Sequence, residues 1–381
     1  MKNVTVLGAG MVGSVMARDL AGKYKVTSID IFEENLLPLE YLGIHTIAMD
    51  LRDTEDLKKV IKNADLVVVA VPGFIGFDTL KAVISEGKNV ADISFFNEDP
   101  FLLDSLAKDN NVTAIIDCGV APGMANIILG HYASKYSVES YKCMVGGLPL
   151  ERTLPYQYKA PFSPIDVIEE YTRPARIVEG GKLIIKEALS EPESVEVKGI
   201  GTLEAFNTDG LRTLIRTMDI PNMVEKTLRY PGHLEVIKAL RDTGFFSRNF
   251  IDLGSHKVRP IDLTTKLLFP MWKQEPGEKE FTVMKILIET LTPEGKRKIT
   301  ASLFDEGNPS QKISSMARTT GYTCTAAADL ILEGEISAMG VIPPEALGKE
   351  ERIYSKILQY LENRNVRYKF SEHLLTKGIA V

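Results

Sequence analysis

The 381-residue chain has only three cysteines, Cys118, Cys143 and Cys324, far apart and odd in number. That argues against a disulfide framework and fits a reducing, cytoplasmic compartment. No CxxC, HExxH or Asp-rich calcium loop occurs, so no structural metal is expected. No apolar run approaches the ~20 residues needed to span a bilayer. The N-terminus, MKNVTVLGAG, is too short and too glycine-rich for the core of a signal peptide. A basic excess is also lacking. The net charge is −6, which argues against a nucleic-acid partner and a polybasic, membrane-seeking segment. There is no internal repeat and no low-complexity linker.

What is present is ordinary for a globular protein: 44% hydrophobic and 25% charged residues. The length suits two or three domains at roughly 100–200 residues each. Lys2–Leu7 and Lys25–Asp30 read as strands, as do Ile44–Met49, Ala64–Val71, Asn89–Ile93 and Val112–Asp117. Helical patterns fall between them at Ser14–Gly22, Asp53–Asn63, Phe77–Ser85 and Phe101–Asp109. This alternation predicts a parallel, doubly wound sheet. After Gly123 the pattern changes. Met124–Tyr136 reads as a helix, Ser140–Gly146 as a strand, and Gly146-Gly147 and Gly180-Gly181 as turns. Pro155–Thr172 and Asp209–His233 look loop-like. Phe281–Ile288 and Ile299–Leu303 read as strands of a mixed, mostly antiparallel open sheet. Met316–Leu332 reads as a buried helix and Ile353–Asn363 as a charged surface helix. The expected fold class is α/β. A doubly wound domain of the Rossmann type covers 1–122, and an α+β substrate and dimerisation domain covers 123–315. A C-terminal helical segment, 316–381, packs back on the first domain.

Gly8-Ala9-Gly10-Met11-Val12-Gly13 fits G-x-G-x-x-G, follows a strand and opens a helix. Gly8 allows the tight turn, Gly10 the approach of a pyrophosphate, and Gly13 close helix–strand packing. The helix N-terminus offers free N–H groups to the phosphates. Asp30 ends the second strand, where a carboxylate accepts both ribose hydroxyls and repels a 2′-phosphate. NAD is therefore expected over NADP, and Ser28 and the absence of any Arg between Arg18 and Arg52 agree. Val71-Pro72 and Ser94 close the fourth and fifth strands on the cofactor edge or are ordinary strand-to-helix turns. Gly119 and Ala121 lie in the junction after the sixth strand, where they would bring backbone close to the cofactor.

That junction, DCGVAPGMANIILG from Asp117, resembles the saccharopine dehydrogenase-like family. The resemblance continues through Val145-Gly146-Gly147-Leu148-Pro149, Pro161-Phe162-Ser163-Pro164 and Glu170-Tyr171-Thr172-Arg173-Pro174-Ala175. It includes Leu203-Glu204-Ala205-Phe206 and Leu228-Arg229-Tyr230-Pro231-Gly232-His233, and reaches Met316-Ala317-Arg318-Thr319-Thr320-Gly321-Tyr322. Within the family the chain is most similar to the lysine 6-dehydrogenase branch, including its archaeal members. That likeness implies NAD-dependent oxidative deamination of the ε-amine of L-lysine to 2-aminoadipate 6-semialdehyde and ammonia. The aldehyde cyclises to piperideine-6-carboxylate. True saccharopine reductases carry D-P-G-x-D-H at the junction, and this chain has Ala121-Pro122-Gly123-Met124-Ala125-Asn126. The missing aspartates and histidine point away from saccharopine and towards a free amino acid. The alternatives are a saccharopine or carboxyalkyl-polyamine type activity and a non-catalytic NAD-binding sensor.

Lysine oxidation needs a proton acceptor at the ε-ammonium and fixed partners for the α-carboxylate and α-ammonium. Arg229 is the candidate for the carboxylate, through its bidentate fork, with an ion pair as the alternative. Asp209, Glu170 and Asp166 are candidates for the α-ammonium, each otherwise a solvated charge. His233 is the candidate base; its alternative is a structural hydrogen bond at a helix N-terminus. Tyr171 and Lys159 are further candidates, and Cys118 reads as a small buried residue rather than a nucleophile. A homodimer is expected, because half-buried open sheets often pair across a twofold axis.

Overall fold

Leu66–Val69, four apolar residues in a row, is buried at every position. It lies in the middle of a seven-stranded sheet whose pairings are all parallel. Across that sheet the order is Gly340–Ile342, Thr113–Ile115, Asn89–Asp92, Leu66–Val69, Asn3–Leu7, Lys25–Asp30 and His45–Ala48. The winding reverses between Asn3–Leu7 and Leu66–Val69. In such sheets the ligand crevice lies outside the carboxyl ends of the two strands that flank the reversal, here Leu7 and Val69. The helix Gly13–Ala21 docks through Val15, Met16 and Leu20, a stripe at helical spacing. The helix Thr54–Ile61 docks through Leu57 and Ile61, and the Asp53 carboxylate caps it by accepting from the Asp56 N–H at 3.1 Å.

The computed structural model describes residues 1–275, 277–292 and 295–375. The chain divides into two units. The first comprises Met1–Tyr136 and Met316–Arg367, the second Ser137–Ser315 and Tyr368–Val381. The end of the segment expected to be helical, 376–381, lies outside the described residues. The first boundary thus falls after the helix Met124–Ala133 rather than at 122/123. That helix packs on Pro344–Gly348 so closely that a Cβ on Gly130 would lie 2.0 Å from the Glu345 carbonyl oxygen. Residues 316–332 of the helix Ser315–Leu332, and the helix Glu351–Glu362, also belong to the first unit. In Ser315–Leu332 the Thr323 hydroxyl bonds back to the Thr319 carbonyl at 2.8 Å, which satisfies a buried polar group inside the helix.

The second unit is built on a nine-stranded mixed sheet. Its main path runs Glu193–Val197, Gly201–Asn207, Asn222–Arg229, Ser137–Pro149, Glu280–Thr292, Gly295–Glu306 and Tyr368–Leu375. The hairpin Ala175–Glu179 and Lys182–Lys186 joins it at Asn222–Arg229. Among the described residues, only the pairing of Asn222–Arg229 with Ser137–Pro149 is parallel in this sheet.

Several expectations are corrected. Gly146-Gly147 is not a turn but lies inside Ser137–Pro149, opposite Val283 and Thr282. A Cβ on Gly146 would sit 2.5 Å from the Leu228 carbonyl oxygen, so the glycine serves a close backbone approach. Pro155–Thr172 holds a helix, Pro164–Thr172, begun by a proline whose missing N–H costs nothing at that position. Asp209–His233 holds the strand Asn222–Arg229, disguised by its buried polar residues Glu225, Lys226, Thr227 and Arg229. Tyr368–Leu375 is an edge strand of the second unit's sheet, not part of a helical tail.

Candidate active site

The glycine turn of the first unit has the geometry its spacing predicts. Gly8 has φ +94°, and a Cβ there would lie 2.3 Å from the Ala70 carbonyl oxygen. A Cβ on Gly13 would lie 2.0 Å from the Gly8 carbonyl oxygen, so the helix start rests on the turn itself. Gly10 is different: nothing lies within 4 Å of its missing Cβ. That is open space beside backbone, the cradle a pyrophosphate requires. Among the described residues no acceptor takes the N–H of Gly10, Met11 or Val12, while the Ala9 N–H is taken by Asp30. The Asp30 Oδ2 accepts from Ala9 at 2.7 Å, and Oδ1 accepts from the Phe32 N–H at 2.9 Å and from Asn35 Nδ2 at 3.2 Å. The carboxylate is thereby fixed against the turn, with lone pairs left for ribose hydroxyls. Ser28 is fully buried within its strand, so its side chain does not bear on the choice of cofactor.

The other edge residues divide. Val71 is buried in the core of the first unit, and Pro72 caps the helix Gly73–Ser85; both shape the turn through packing. Ser94 is 2% exposed and its hydroxyl has no partner among the described residues. Its N–H donates to Asp92 Oδ1 at 2.6 Å. The Gly119–Gly123 junction is a tight knot with a cis Ala121–Pro122 bond. The Gly119 N–H donates to the Pro122 carbonyl at 3.0 Å, and a Cβ on Gly123 would overlap the Gly119 backbone. Ala121 stays partly exposed on this knot. Asn126, where the saccharopine reductase pattern has histidine, accepts from the Gly123 N–H at 3.3 Å. It also donates to Glu345 Oε2 at 3.2 Å, and it is 1% exposed. This side chain holds the junction together. Cys118 is fully buried.

In the second unit Arg229, Tyr171 and His233 come together, but as a sealed polar core. Arg229 Nε donates to the Tyr171 hydroxyl at 2.9 Å, and that hydroxyl is 2.9 Å from His233 Nε2. His233 Nδ1 lies 2.7 Å from the Tyr156 carbonyl, which only accepts, so Nδ1 carries the proton. Nε2 must then accept from Tyr171. His233 and Tyr171 are 0% exposed and Arg229 is 2% exposed. Arg229 also donates to Glu170 Oε2 at 3.0 Å and stacks 4.4 Å from the centre of the Tyr158 ring. Burial, reinforced by the Arg229 charge, pushes the His233 imidazole down to about 3. Burial pushes Tyr171 up to about 12. The geometry thus favours the alternative role for His233 at the head of the helix His233–Asp242. Neither His233 nor Tyr171 can meet a substrate here, and Arg229 is occupied by its neighbours. Glu170 is the partly exposed end of this network; burial raises it and Arg229 pulls it back.

Lys159 lies apart from that network, donating to the Lys273 carbonyl at 3.0 Å with Glu278 at 3.7 Å. Asp209 accepts both Arg176 Nε at 2.8 Å and Nη2 at 2.9 Å, so its partner is this chain's own guanidinium. Asp166 sits buried in the first turn of Pro164–Thr172, within electrostatic range of Glu170. The residues missed by sequence reasoning are Arg173, Arg176 and Arg212. Arg173 lies within electrostatic range of Asp209, Glu169 and the other two guanidiniums; burial and then Arg212 lower its pKa. Arg212 is 7% exposed and stands at φ +49° in the loop that carries Asp209. Three guanidiniums thus gather near Asp209 and Glu169, and Glu169 also serves the exposed Arg248. The readable signal was Arg173-Pro174-Ala175-Arg176 at a helix end together with Asp209 and Arg212 three residues apart. Glu225 underpins that loop. Its Oε2 accepts from the Thr208 hydroxyl at 2.6 Å and the Gly210 N–H also bonds to it. Burial pushes its carboxyl up to about 8.

Comparison with known proteins bears on both units. Residues 4–115 match the family model described as the saccharopine dehydrogenase NADP binding domain, and residues 119–366 match the saccharopine dehydrogenase C-terminal domain. The chain belongs to the saccharopine dehydrogenase family. A saccharopine dehydrogenase [NADP(+), L-glutamate-forming] of Schizosaccharomyces pombe is 24% identical over 90% of this chain and 94% of its own length. The mitochondrial alpha-aminoadipic semialdehyde synthase of Bos taurus is 23% identical over 96% of this chain, which spans 47% of that longer protein. The structure of apo saccharopine dehydrogenase (L-Glu forming) from Saccharomyces cerevisiae superposes with a TM-score of 0.79. It covers 98% of this chain and 100% of its own at 20% identity, which establishes the shared fold. This member of the family is an oxidoreductase whose first unit is a nicotinamide-dinucleotide-binding domain. Among the described residues no helix is long and apolar enough to cross a membrane, and no cluster of His, Cys, Asp and Glu is placed to hold a metal.

Proposed function

We propose that the chain is an NAD-dependent dehydrogenase that oxidises the ε-amine of L-lysine to 2-aminoadipate 6-semialdehyde with release of ammonia. The observation that carries this reading is Asn126. At the position where the saccharopine reductase pattern has histidine, this side chain is spent on Gly123 and Glu345. The preference for NAD rests on Asp30, fixed beside the glycine turn and followed by Glu33 and Glu34 in the next helix. Arg52 is bonded to Asp50, Nη2 to Oδ2 and Nε to Oδ1 at 2.9 Å. A 2′-phosphate beside three carboxylates would be repelled.

The turn Gly8–Gly13 would hold the dinucleotide, which supplies the hydride acceptor. The residues of the chain bind and orient the amine. Arg173, Arg176 and Arg212, gathered beside Asp209, offer the substrate carboxylate a cationic setting, and Asp209 keeps Arg176 aimed. Glu170, raised by burial and fixed by Arg229, accepts the proton that the ε-ammonium must lose before hydride can depart. Water then adds to the resulting C=N bond and ammonia leaves.

The relatives named for saccharopine favour a second reading, oxidation of saccharopine with NADP. Purified chain is mixed with NAD or NADP and with L-lysine or saccharopine, and reduced cofactor and ammonia are followed. The lysine reading predicts NADH and ammonia in equal amounts from NAD and lysine. Reduction with saccharopine alone, without ammonia, would replace it. Tight NADH binding with no turnover on either would favour a sensor. Arg212→Ala should raise KM for the amino acid at least tenfold, the order of one lost charge-assisted contact, and leave NADH binding unchanged.

A further inference from the structure

Side chains along the strand Asn222–Arg229 alternate between the two faces of its sheet, so Glu225, Thr227 and Arg229 share one face. All three are buried. At one end of this row Arg229 braces Glu170. At the other end Glu225 is spent on the loop that carries Asp209 and Arg212. The Thr208 hydroxyl lies 2.6 Å from Glu225 Oε2 and 2.8 Å from the Thr227 hydroxyl. The Thr208 N–H donates to the Glu225 carbonyl at 3.3 Å, and the Gly210 N–H bonds to the carboxyl group. The approach is so close that a Cβ on Gly210 would lie 2.4 Å from Oε2.

The backbone just beyond this anchor is strained. Arg212 stands at φ +49°, a left-handed conformation that a non-glycine residue keeps only where its surroundings over-determine it. Its neighbours Leu211 and Thr213 are buried. Asp209 is gripped by Arg176 through both carboxylate oxygens. The loop is therefore fixed at two adjacent points, Asp209 on Arg176 and Gly210 on Glu225, immediately before Arg212. The Arg212 guanidinium in turn comes close enough to Arg173 to lower its pKa.

We propose that Glu225 is the positioning residue for the carboxylate end of the substrate: it holds Thr208 and Gly210 and thereby aims Arg212. This role rests on Arg212 receiving the substrate carboxylate, as proposed above. The anchor serves while it carries its proton. Burial keeps the proton on up to about pH 8, and the charges of Glu170 and Asp209 add to the effect. On the neighbouring strand its register partner is Cys143, a thiol kept neutral by burial and by Glu225 itself. Once ionised, Glu225 sets a further negative charge beside Asp209 and opposes a substrate carboxylate there.

L-Lysine is titrated calorimetrically into the full chain saturated with NADH, from pH 7 to pH 9. Glu225→Val leaves the Gly210 N–H without its acceptor. It should weaken lysine binding about tenfold at pH 7, the scale of one hydrogen bond to a buried group, with the NADH dissociation constant unchanged. Glu225→Gln keeps an acceptor and should restore binding at pH 7. Above pH 8 wild-type affinity should fall relative to Glu225→Gln by up to about tenfold at pH 9, the limit for one linked proton. Titration of lysine itself is common to both chains and cancels in the ratio. A ratio that stays constant across this range, or a Glu225→Val variant that binds like wild type, would overturn the proposal. The Gln series decides alone where Glu225→Val does not fold. Arg212→Ala separates the two assignments. Unchanged lysine binding in that variant sinks the carboxylate assignment itself, whereas weakened binding there beside indifferent Glu225 variants sinks only the positioning role.

Discussion

The Tyr171 hydroxyl donates to His233 Nε2 across 2.9 Å, inside a core where both side chains are fully buried. This bond fixes the histidine as a neutral acceptor. Its other nitrogen is committed to the Tyr156 carbonyl, and the Arg229 guanidinium beside Tyr171 makes an imidazolium still less favourable. The histidine that looked most suited to proton transfer instead ties the start of His233–Asp242 to Pro164–Thr172. In turn, Tyr171 and Arg229 brace Glu170.

His233→Asn should therefore cost stability rather than chemistry. At pH 7 we expect a loss of about 1–3 kcal/mol from a buried partner left unsatisfied, with turnover per folded molecule near that of wild type. The folded imidazole titrates near 3 and the unfolded one near 6.5. The unfolded chain therefore binds the extra proton between those values, and wild-type stability falls as pH drops through that window. The gap between wild type and variant in urea unfolding should shrink by about 2 kcal/mol from pH 6.5 to pH 5. A constant gap would show that the imidazole is charged in the fold.

Glu225 has the opposite sign. Its carboxyl is held up to about 8 in the fold against 4.5 in the unfolded chain. The folded state keeps its proton while the unfolded state loses it, so wild-type stability falls as pH rises through that window. Glu225→Gln removes this slope and keeps an acceptor for Thr208. Relative to wild type, the variant should gain up to about 3 kcal/mol between pH 4.5 and pH 7. The same unfolding series measures it, and a gap that widens towards acid would refute the assignment.

Asp30→Ala removes one carboxylate from the ribose end and leaves the Ala9 N–H without its acceptor. Binding of NAD should weaken and that of NADP improve, so that the ratio of their dissociation constants moves at least tenfold towards NADP, the scale of one charged contact. Fluorescence titration with NADH and NADPH measures the ratio. No change in it would leave Asp30 with the sole task of fixing the turn.

Much of the first unit was legible because its physics is local. Gly8 and Gly13 declare a close backbone approach that no other residue meets, Gly10 leaves open space beside the turn, and Leu66–Val69 declares burial on both faces by being apolar throughout. The short strand Gly340–Ile342 was not legible. Three residues carry no periodicity, and their partner Thr113–Ile115 lies more than 200 positions away. In the second unit, Glu225, Lys226 and Arg229 made a buried strand look like a loop, because their hydrogen bonds lie on other elements.

The sequence by itself determined the dinucleotide turn, the parallel sheet and the family likeness, since each is written in contiguous residues with a fixed spacing. Only the tertiary structure decided what the isolated polar residues do. Arg229 and His233 were drawn into a closed core, while Arg173, Arg176 and Arg212 were gathered around Asp209. The physical reason is that a charge or imidazole takes its role from its burial and its partners, and both are supplied by segments far away in the chain.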